Sequence, residues 1–248
     1  IVLPTKSDDM SKKMKFEGAF VDAIPGKYHN VINFDISAMY PSIIKTFNLS
    51  MECIDPNGEI KVGKINITKN KKGMIPMIID DLLVMRKEYD NKRDEHPYGH
   101  PDHERYDILV ESVKCVIDAV YGVNAYPRFR LFRGEIAEGI TYLGREIIKR
   151  TREKLQEMGY KVVITDTDST DFYVSKDKTI PEIEEEGYRV LDVINKDYPI
   201  WANKTFGIDI DKCYIKNVFK KIYSRVIVGA KKRYVCKVVW SKGKLSSG

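Results

Sequence analysis

The sequence predicts an α+β fold in which a helical hairpin is inserted into a sheet domain. Two observations lead to this class. Two long segments with helical character flank a Pro/Gly-rich break, "HPYGHP" (96–101), and helices joined by such a turn form an antiparallel pair. Short β-prone runs bounded by turn residues lie on both sides of that pair, in "VINFD" and "KVVITDTDSTDFYVS". These runs predict strands that come together from distant parts of the chain.

The N-terminal part reads as strand, turn and short helix. Residues 1–15 are polar and lysine-rich and are expected to form a loosely held lead-in. The run Val31 to Asp35 predicts a strand, and Pro41 sits near the start of the helix that follows, where a missing N–H costs nothing. The Gly-, Asn- and Lys-rich stretch 55–73 predicts a loop or a small hairpin.

Four further helices are predicted. The first begins near Pro76 in "PMIIDDLLVMRKEYDNKRDE", and the second runs from about Glu104 to Tyr121 and stops at Gly122. The third, "GEIAEGITYLGREIIKRTREKLQEMG", carries apolar residues at 3/4 spacing. A fourth extends from about Pro181 to Tyr198, and strands such as "YSRVIVGAKKRYVCKVVW" complete the chain.

Composition indicates a globular intracellular protein with a polyanionic partner. The chain has 248 residues, 43% of them hydrophobic, which is enough for a substantial core. Its net charge of +6 is concentrated in lysine-rich blocks, which suit a polyanion but also occur on ordinary solvated surfaces. The four cysteines are far apart without a C-x-x-C pair, which predicts reduced thiols rather than zinc ligands. No apolar run has membrane-spanning length.

Asp166 and Asp168 place two carboxylates between two predicted strands. Residues two apart share one face of a strand, so these side chains are expected to be neighbours. An exposed turn with two solvated aspartates is one explanation. A divalent-cation site is the other, because a hard cation with oxygen ligands removes the repulsion between the carboxylates. A third carboxylate, Asp35 at the end of "VINFD", is the partner that a metal site needs.

Five motifs of the chain resemble those of the family B DNA polymerases. "DISAMYPSII" from Asp35 resembles motif A, "KCVIDAVYG" (114–122) resembles motif B, and "DTDS" (166–169) resembles motif C. "AKKRYV" (230–235) is similar to the basic motif after motif C, and "FEGA" (16–19) to the short motif before motif A. The motifs occur in the family's order and span most of the chain. The spacings between motifs leave no room for the insertions of protein-primed members, which favours a nucleic-acid-primed type.

The resemblance implies a polymerase palm, an antiparallel sheet flanked by helices, with an inserted helical-hairpin fingers subdomain. Residues 1–73 would form the N-terminal part of the palm, 74–122 the fingers and 123–248 the C-terminal part of the palm. The family's exonuclease and thumb domains are expected to lie outside these residues. The implied activity is template-directed transfer of deoxynucleotides to a primer 3′-hydroxyl by two-metal phosphoryl transfer.

The resemblance also assigns roles to individual residues. Asp35 and Asp168 would be the catalytic metal ligands, with the backbone of Ile36 as a further contact and Asp166 in support, around two Mg²⁺ ions that Mn²⁺ can replace. Nucleotide contacts would come from the turn and helix of motif A and from the fingers: Ala38, Met39, Tyr40, Arg86, Lys114 and Tyr121. Tyr40 would be the steric gate against a ribose 2′-hydroxyl. Without the family pattern, an ordinary exposed helix lysine is the better interpretation of Lys114, and Tyr121 could equally be a core aromatic.

The implied partners are primer–template DNA, deoxynucleoside triphosphates and a sliding clamp bound through regions outside this chain. The DNA backbone would be held by the basic motif: Lys231, Lys232, Arg233 and Tyr234. Ala38 stands where the family usually has Ser, and Asp118 where Asn is usual. Asp118, four residues after Lys114, could pair with that lysine and compete for the phosphate contact.

Two other function classes compete with a polymerase. A polymerase-derived module could bind nucleic acid without catalysis, although Asp35 and Asp168 are both present. A reverse transcriptase or viral RNA polymerase would typically carry adjacent aspartates in the hairpin, whereas Thr167 separates them here.

Overall fold

The computed structural model describes residues 18–129 and 132–245. The predicted lead-in and the first two residues of "FEGA" therefore lie outside the described residues. Within them the chain divides into two compact units, one of residues 40–140 and the other of residues 18–39 and 141–245. No helix in the described part is long and apolar enough to cross a membrane.

The structure contains helices and strands in the mixed order that the sequence predicts. The strands are β1 (Val21–Ala23), β2 (Gly26–Ile36), β3 (Ile60–Val62), β4 (Ile65–Ile67), β5 (Lys161–Asp166), β6 (Ser169–Tyr173), β7 (Asn217–Ala230), β8 (Arg233–Ser241) and β9 (Lys244–Leu245). The α-helices are α1 (Met39–Thr46), α2 (Met74–Asp94), α3 (Pro101–Ala125), α4 (Gly134–Glu157) and α5 (Ile180–Phe206). Two 3₁₀ turns lie at Met51–Cys53 and Ile210–Lys212.

The sheet unit is built on seven strands in the order β1-β5-β6-β2-β7-β8-β9. Every pairing in it is antiparallel. Strand β2 is longer than predicted and lies in the interior of the sheet, where Val31, Ile32 and Phe34 are fully buried. Helix α5 packs against β2 and β7. Gly187 permits this close approach, because a Cβ there would collide with the ring of Phe219.

The other unit, the helical unit, contains the β3–β4 hairpin and the helical hairpin of α2 and α3. Helices α2 and α3 pack against each other. The β3–β4 pair confirms the small hairpin predicted within 55–73. The α2–α3 pair confirms the predicted helical hairpin around "HPYGHP".

Helix α3 differs from its predicted ends. It starts at Pro101, which suits the first helical position, rather than near Glu104. It also continues through Gly122 to Ala125, so the prediction that Gly122 ends the helix is wrong. An interior glycine costs a helix only about 1 kcal/mol. The effective stop is Pro127, since the residue before a proline is disfavoured in the helical region.

Helix α5 also extends past its predicted end. The prediction stopped it before Pro199, but the helix continues to Phe206 and ends at Gly207, whose φ is +69°. Ala202 and Phe206 beyond the proline are buried. Their packing offsets the backbone hydrogen bond that the proline ring removes.

Candidate functional site

The ends of three neighbouring strands bring the predicted carboxylates together in the sheet unit. Ser169 at the start of β6 pairs in register with Asp166 of β5 on one side and with Asp35 of β2 on the other. The β5–β6 hairpin and the end of β2 therefore meet at one edge of the sheet, as the D-x-D spacing and the "VINFD" strand predict.

A tight turn fixes the backbone of Asp168. Its N–H donates to the carbonyl of Asp166 at 2.7 Å, and Thr167 between them has a φ of +60°. This is a three-residue turn of the rarer, strained hand. The carbonyl of Asp168 in turn accepts a hydrogen bond from the N–H of Ile36 at 2.9 Å. The hairpin turn is thus attached to the residue that directly follows Asp35.

The electrostatics of this edge favour a bound cation. Burial raises the pKa of the Asp168 carboxyl, and the neighbouring Asp35 carboxylate raises it further, with a smaller contribution from Asp166. Two carboxylates that repel one another in a partly buried position are stabilised by an added positive charge.

Two lysines supply positive charge at this edge. Lys220 Nζ lies 2.9 Å from Asp35 Oδ2, and Lys232 Nζ lies 3.4 Å from Asp166 Oδ1. Asp35 and Asp166 thus each have a lysine neighbour, and the coupled pair is Asp35 and Asp168 because Asp168 is affected more strongly by Asp35 than by Asp166.

The basic motif lies on the same sheet unit, at the turn between β7 and β8. Lys231 Nζ is 3.7 Å from Asp22 Oδ1, and Lys232 adopts a φ of +59° in this turn. Arg233 and Tyr234 open β8, and Tyr234 is 37% exposed. Lys231 and Lys232 of the predicted DNA-binding cluster thus form weak ion pairs, and both lysine side chains are exposed.

The turn after β2 carries backbone strain. Ala38 has a φ of +43°, in the left-handed region that costs a residue with a Cβ about 1 kcal/mol or more. Ala38 is exposed, and Met39, the first residue of α1, is buried. Strained non-glycine residues of this kind concentrate at ligand-binding turns.

The predicted nucleotide-binding residues of the helical unit form an aromatic pair and two cations. The rings of Tyr40 on α1 and Tyr121 on α3 lie 4.3 Å apart between centroids. The Arg86 Nε atom on α2 is buried without a hydrogen-bond partner among the described residues. Lys114 on α3 pairs with Glu111 at 3.4 Å. The expected competitor Asp118 is therefore not the residue that the structure pairs with this lysine.

Sequence reasoning missed two charged residues near the carboxylates. Lys220 stands beside Lys221 in β7, and this pair of adjacent lysines within a strand is the signal in the sequence that could have identified it. Asp171 of β6 is buried, and it accepts a hydrogen bond from Asn33 Nδ2 at 2.5 Å. Burial raises the pKa of Asp171 to about 7.

Comparison with known proteins identifies the chain's relatives. The family model for DNA polymerase family B matches residues 1–247. "DNA polymerase 1" of Aeropyrum pernix is 30% identical over 90% of this chain and 22% of its own length. "DNA polymerase 1" of Saccharolobus solfataricus is 30% identical over 84% of this chain and 24% of its own length. The chain thus spans about a fifth to a quarter of these curated relatives.

A solved structure shows the same fold. The family B DNA polymerase of the hyperthermophilic archaeon Pyrobaculum calidifontis superposes with a TM-score of 0.64 at 24% identity, over 95% of this chain and 29% of that one. The α+β class predicted from the sequence is confirmed. Given the five ordered motifs and a family model that matches almost the whole sequence, this chain belongs to family B of the DNA polymerases.

Proposed function

We propose that this chain carries the catalytic core of a DNA-directed DNA polymerase, which adds deoxynucleotides to a primer 3′-hydroxyl under template direction. The observation that carries the proposal is the coupled pair of Asp35 and Asp168 at the edge of the sheet, with the Asp168 turn hydrogen-bonded to Ile36. Two carboxylates from separate strands are the donor arrangement that phosphoryl transfer with divalent metals requires.

The residues at this edge fit a Mg²⁺ or Mn²⁺ centre. Carboxylate oxygens are the donors that these hard cations prefer. Burial and the charge of Asp35 raise the pKa of Asp168, and a bound cation would stabilise its ionised form against both. Asp35 and Asp168 would hold two ions, with Ile36 contributing a backbone oxygen and Asp166 in support. Such ions supply charge stabilisation at the attacking and leaving oxygens. Asp35 would exchange its ion pair with Lys220 for this contact.

The helical unit is proposed to bind the incoming nucleotide. Arg86 has a buried N–H without a partner among the described residues, and Lys114 is held by an exposed ion pair, which is weak. Lys114 is therefore available to triphosphate oxygens, whereas the Arg86 N–H would contact them only after becoming exposed. The Tyr40 ring, packed on Tyr121, would exclude a ribose 2′-hydroxyl, and Tyr121 would lie beneath the nascent base pair.

Two further groups complete the proposed contacts. The backbone N–H groups of Ala38 and Met39, at the start of α1, would approach the phosphates. Lys231, Lys232, Arg233 and Tyr234 would hold the primer–template backbone, which is a sequence-independent contact.

A nucleic-acid-binding module without catalysis is the second candidate. The observations that favour it are the lysine contacts at Asp35 and Asp166, which provide positive charge without a metal. Both candidates predict DNA binding, but only the first predicts metal-dependent extension.

Primer extension under single-turnover conditions separates the two. With the 248-residue chain in excess at low salt, Mg²⁺ or Mn²⁺ and all four dNTPs, we expect slow addition of about one nucleotide per encounter. Asp35→Asn or Asp168→Asn should abolish it, because each removes a metal ligand. Asp177→Asn, the same chemical change at an exposed turn, is the matched control. DNA binding without extension, or extension within about tenfold of the unaltered chain in both variants, would reject the polymerase proposal.

A further inference from the structure

The turn between α2 and α3 concentrates metal-binding side chains away from the carboxylate pair. Three of the chain's four histidines, His96, His100 and His103, fall within "HPYGHPDH", and Asp102 lies among them. Ligand atoms of His96, His100 and Asp102 all lie within 4.8 Å of one another. All four residues belong to the helical unit.

The backbone of the turn holds the two imidazoles together. The N–H of His100 donates to the carbonyl of Pro97 at 3.1 Å, and Gly99 has a φ of +86°. This is a tight turn of the type that requires a positive φ at its third residue. It places the rings of His96 and His100 parallel, 4.8 Å apart with an interplanar angle of 7°.

His103 supports this arrangement from the first turn of α3. Its Nδ1 atom lies 3.0 Å from the carbonyl of His96 and 3.2 Å from that of Arg93. Carbonyl oxygens only accept hydrogen bonds, so this nitrogen carries a proton and donates. His103 therefore ties the backbone of His96 to α3 and to the end of α2.

Stacked imidazoles beside an aspartate in the first turn of a helix have a purely structural explanation, in which Asp102 favours the helix dipole. The distances between the ligand atoms are not accounted for by this structural explanation. His100 Nδ1 and Asp102 Oδ2 are 3.7 Å apart, and a tetrahedral centre with bonds of about 2.0–2.1 Å needs ligand atoms about 3.3 Å apart. His100 Nδ1 also accepts a hydrogen bond from the Asp102 N–H at 3.2 Å. A metal lies in the plane of each imidazole that binds it, so joint ligation requires the exposed His100 ring to turn out of the stack and give up that bond.

We propose that His96, His100 and Asp102 form a three-ligand site for a divalent transition-metal ion of the zinc type, with a fourth position open to water. Two imidazoles and one carboxylate suit Zn²⁺ and Co²⁺, whereas Mg²⁺ prefers oxygen donors. The site is thus chemically distinct from the proposed magnesium centre. A bound ion would fasten the end of the α2–α3 hairpin by joining residues on both sides of its turn.

The test is a metal titration of the chain carrying Asp35→Asn and Asp168→Asn, so that the carboxylate pair does not compete. Co²⁺ should give the visible absorption of a four-coordinate site, saturating at one equivalent, and Zn²⁺ should displace it. His96→Ala or His100→Ala should weaken binding at least about tenfold. His29→Ala, which removes the one exposed histidine outside the cluster, should leave binding unchanged.

Proteolysis provides a second readout that depends on neither DNA nor catalysis. Tyr98 is 94% exposed between His96 and His100, so chymotrypsin should cut after it. Zn²⁺ should slow this cut in the unaltered turn but not in His100→Ala. The variant also controls for direct inhibition of the protease by Zn²⁺. Saturation that survives both histidine substitutions, or a cleavage rate equally slowed in His100→Ala, would overturn the proposal, as would no saturable binding at all.

Discussion

Lys220 and Lys232 each place a positive charge beside one of the three carboxylates at the sheet edge. The Lys220–Asp35 contact is the closer of the two, and its partners are 37% and 25% exposed. Partly exposed pairs of this kind are worth about 0.2–1 kcal/mol. Lys220 is therefore a weak competitor that a divalent ion can displace, rather than a fixed structural partner.

Replacing Lys220 with methionine should tighten Mn²⁺ binding. Without its ammonium group, the repulsion between Asp35 and Asp168 is compensated only by the metal, so we expect roughly two- to fivefold higher affinity at low salt. Titration with electron paramagnetic resonance detection of free Mn²⁺ measures the change. Lys27→Met is the control, because Lys27 is exposed at the opposite end of β2 from Asp35. The gain in Mn²⁺ affinity should vanish when Asp35→Asn is also present. A gain that persists in that double variant would contradict competition between Lys220 and the metal for Asp35.

Asp171 gives the protein a pH-dependent stability. Its pKa of about 7 in the folded state lies above the ordinary value of about 4. Between these values the folded protein binds more protons than the unfolded chain, so the free energy of unfolding falls as the pH rises through about 4 to 7 and then levels off. Asn33 offers Asp171 an amide donor, which compensates only part of the burial of the charge.

Asp171→Asn should remove this dependence. An amide keeps an acceptor for Asn33 and carries no charge, so the variant should gain roughly 2–4 kcal/mol over the unaltered chain between about pH 5 and pH 8. Urea unfolding at both pH values, with a chelator present, gives the comparison. Every other carboxylate titrates alike in the two proteins, so a difference between their profiles of unfolding free energy against pH reports Asp171 alone. Parallel profiles would show that Asp171 is already ionised in the folded protein at little cost in stability.

At the scale of helices and strands, short sequence patterns predict an element well where interactions between residues close in sequence determine it. The break at "HPYGHP", the apolar stripe of α4 and the β5–β6 hairpin are all read from short windows of sequence. The end of α5 is not, because the burial of Ala202 and Phe206 beyond Pro199 depends on context. The same holds at the site: motifs predict Asp35, Asp166 and Asp168, but the place of Lys220 follows from strand register.

A buried hydroxyl links α4, α5 and β7. Tyr198 is fully buried, and its hydroxyl lies 2.6 Å from both Thr151 Oγ1 and Asn217 Nδ2. Tyr198→Phe should lower the free energy of unfolding by about 1–3 kcal/mol, because the buried Asn217 amide loses its acceptor. Chemical denaturation measures this loss, with the slope against denaturant unchanged.

Tyr188→Phe is the matched control for this link. Tyr188 lies on the same helix but is 49% exposed, and its ring contacts with Phe219 and Trp240 do not need the hydroxyl. Its stability should stay within about 0.5 kcal/mol of the unaltered chain. Equal losses in the two variants would mean that the network around Tyr198 contributes nothing specific.

For the whole molecule, charge sets the strength of the proposed interaction with DNA. The net charge is +6, but 36 acidic residues offset 42 basic ones, so the excess is small. Two of the three cations in the basic motif also have acidic neighbours, Lys231 at Asp22 and Lys232 at Asp166. DNA phosphates must therefore compete with carboxylates of the protein itself, which reduces the number of contacts that release counterions.

Primer–template DNA should consequently bind the 248-residue chain only at low salt, on a shallow slope. Three phosphate contacts from Lys231, Lys232 and Arg233 give a slope of log affinity against log salt no steeper than about −3. Fluorescence anisotropy from about 20 to 200 mM salt measures it, and replacing all three by alanine should bring the slope close to zero. Lys242→Ala with Lys244→Ala removes lysines outside the motif and should change the slope by less. A steep slope that the triple variant leaves intact would place the DNA contacts on other residues of the chain.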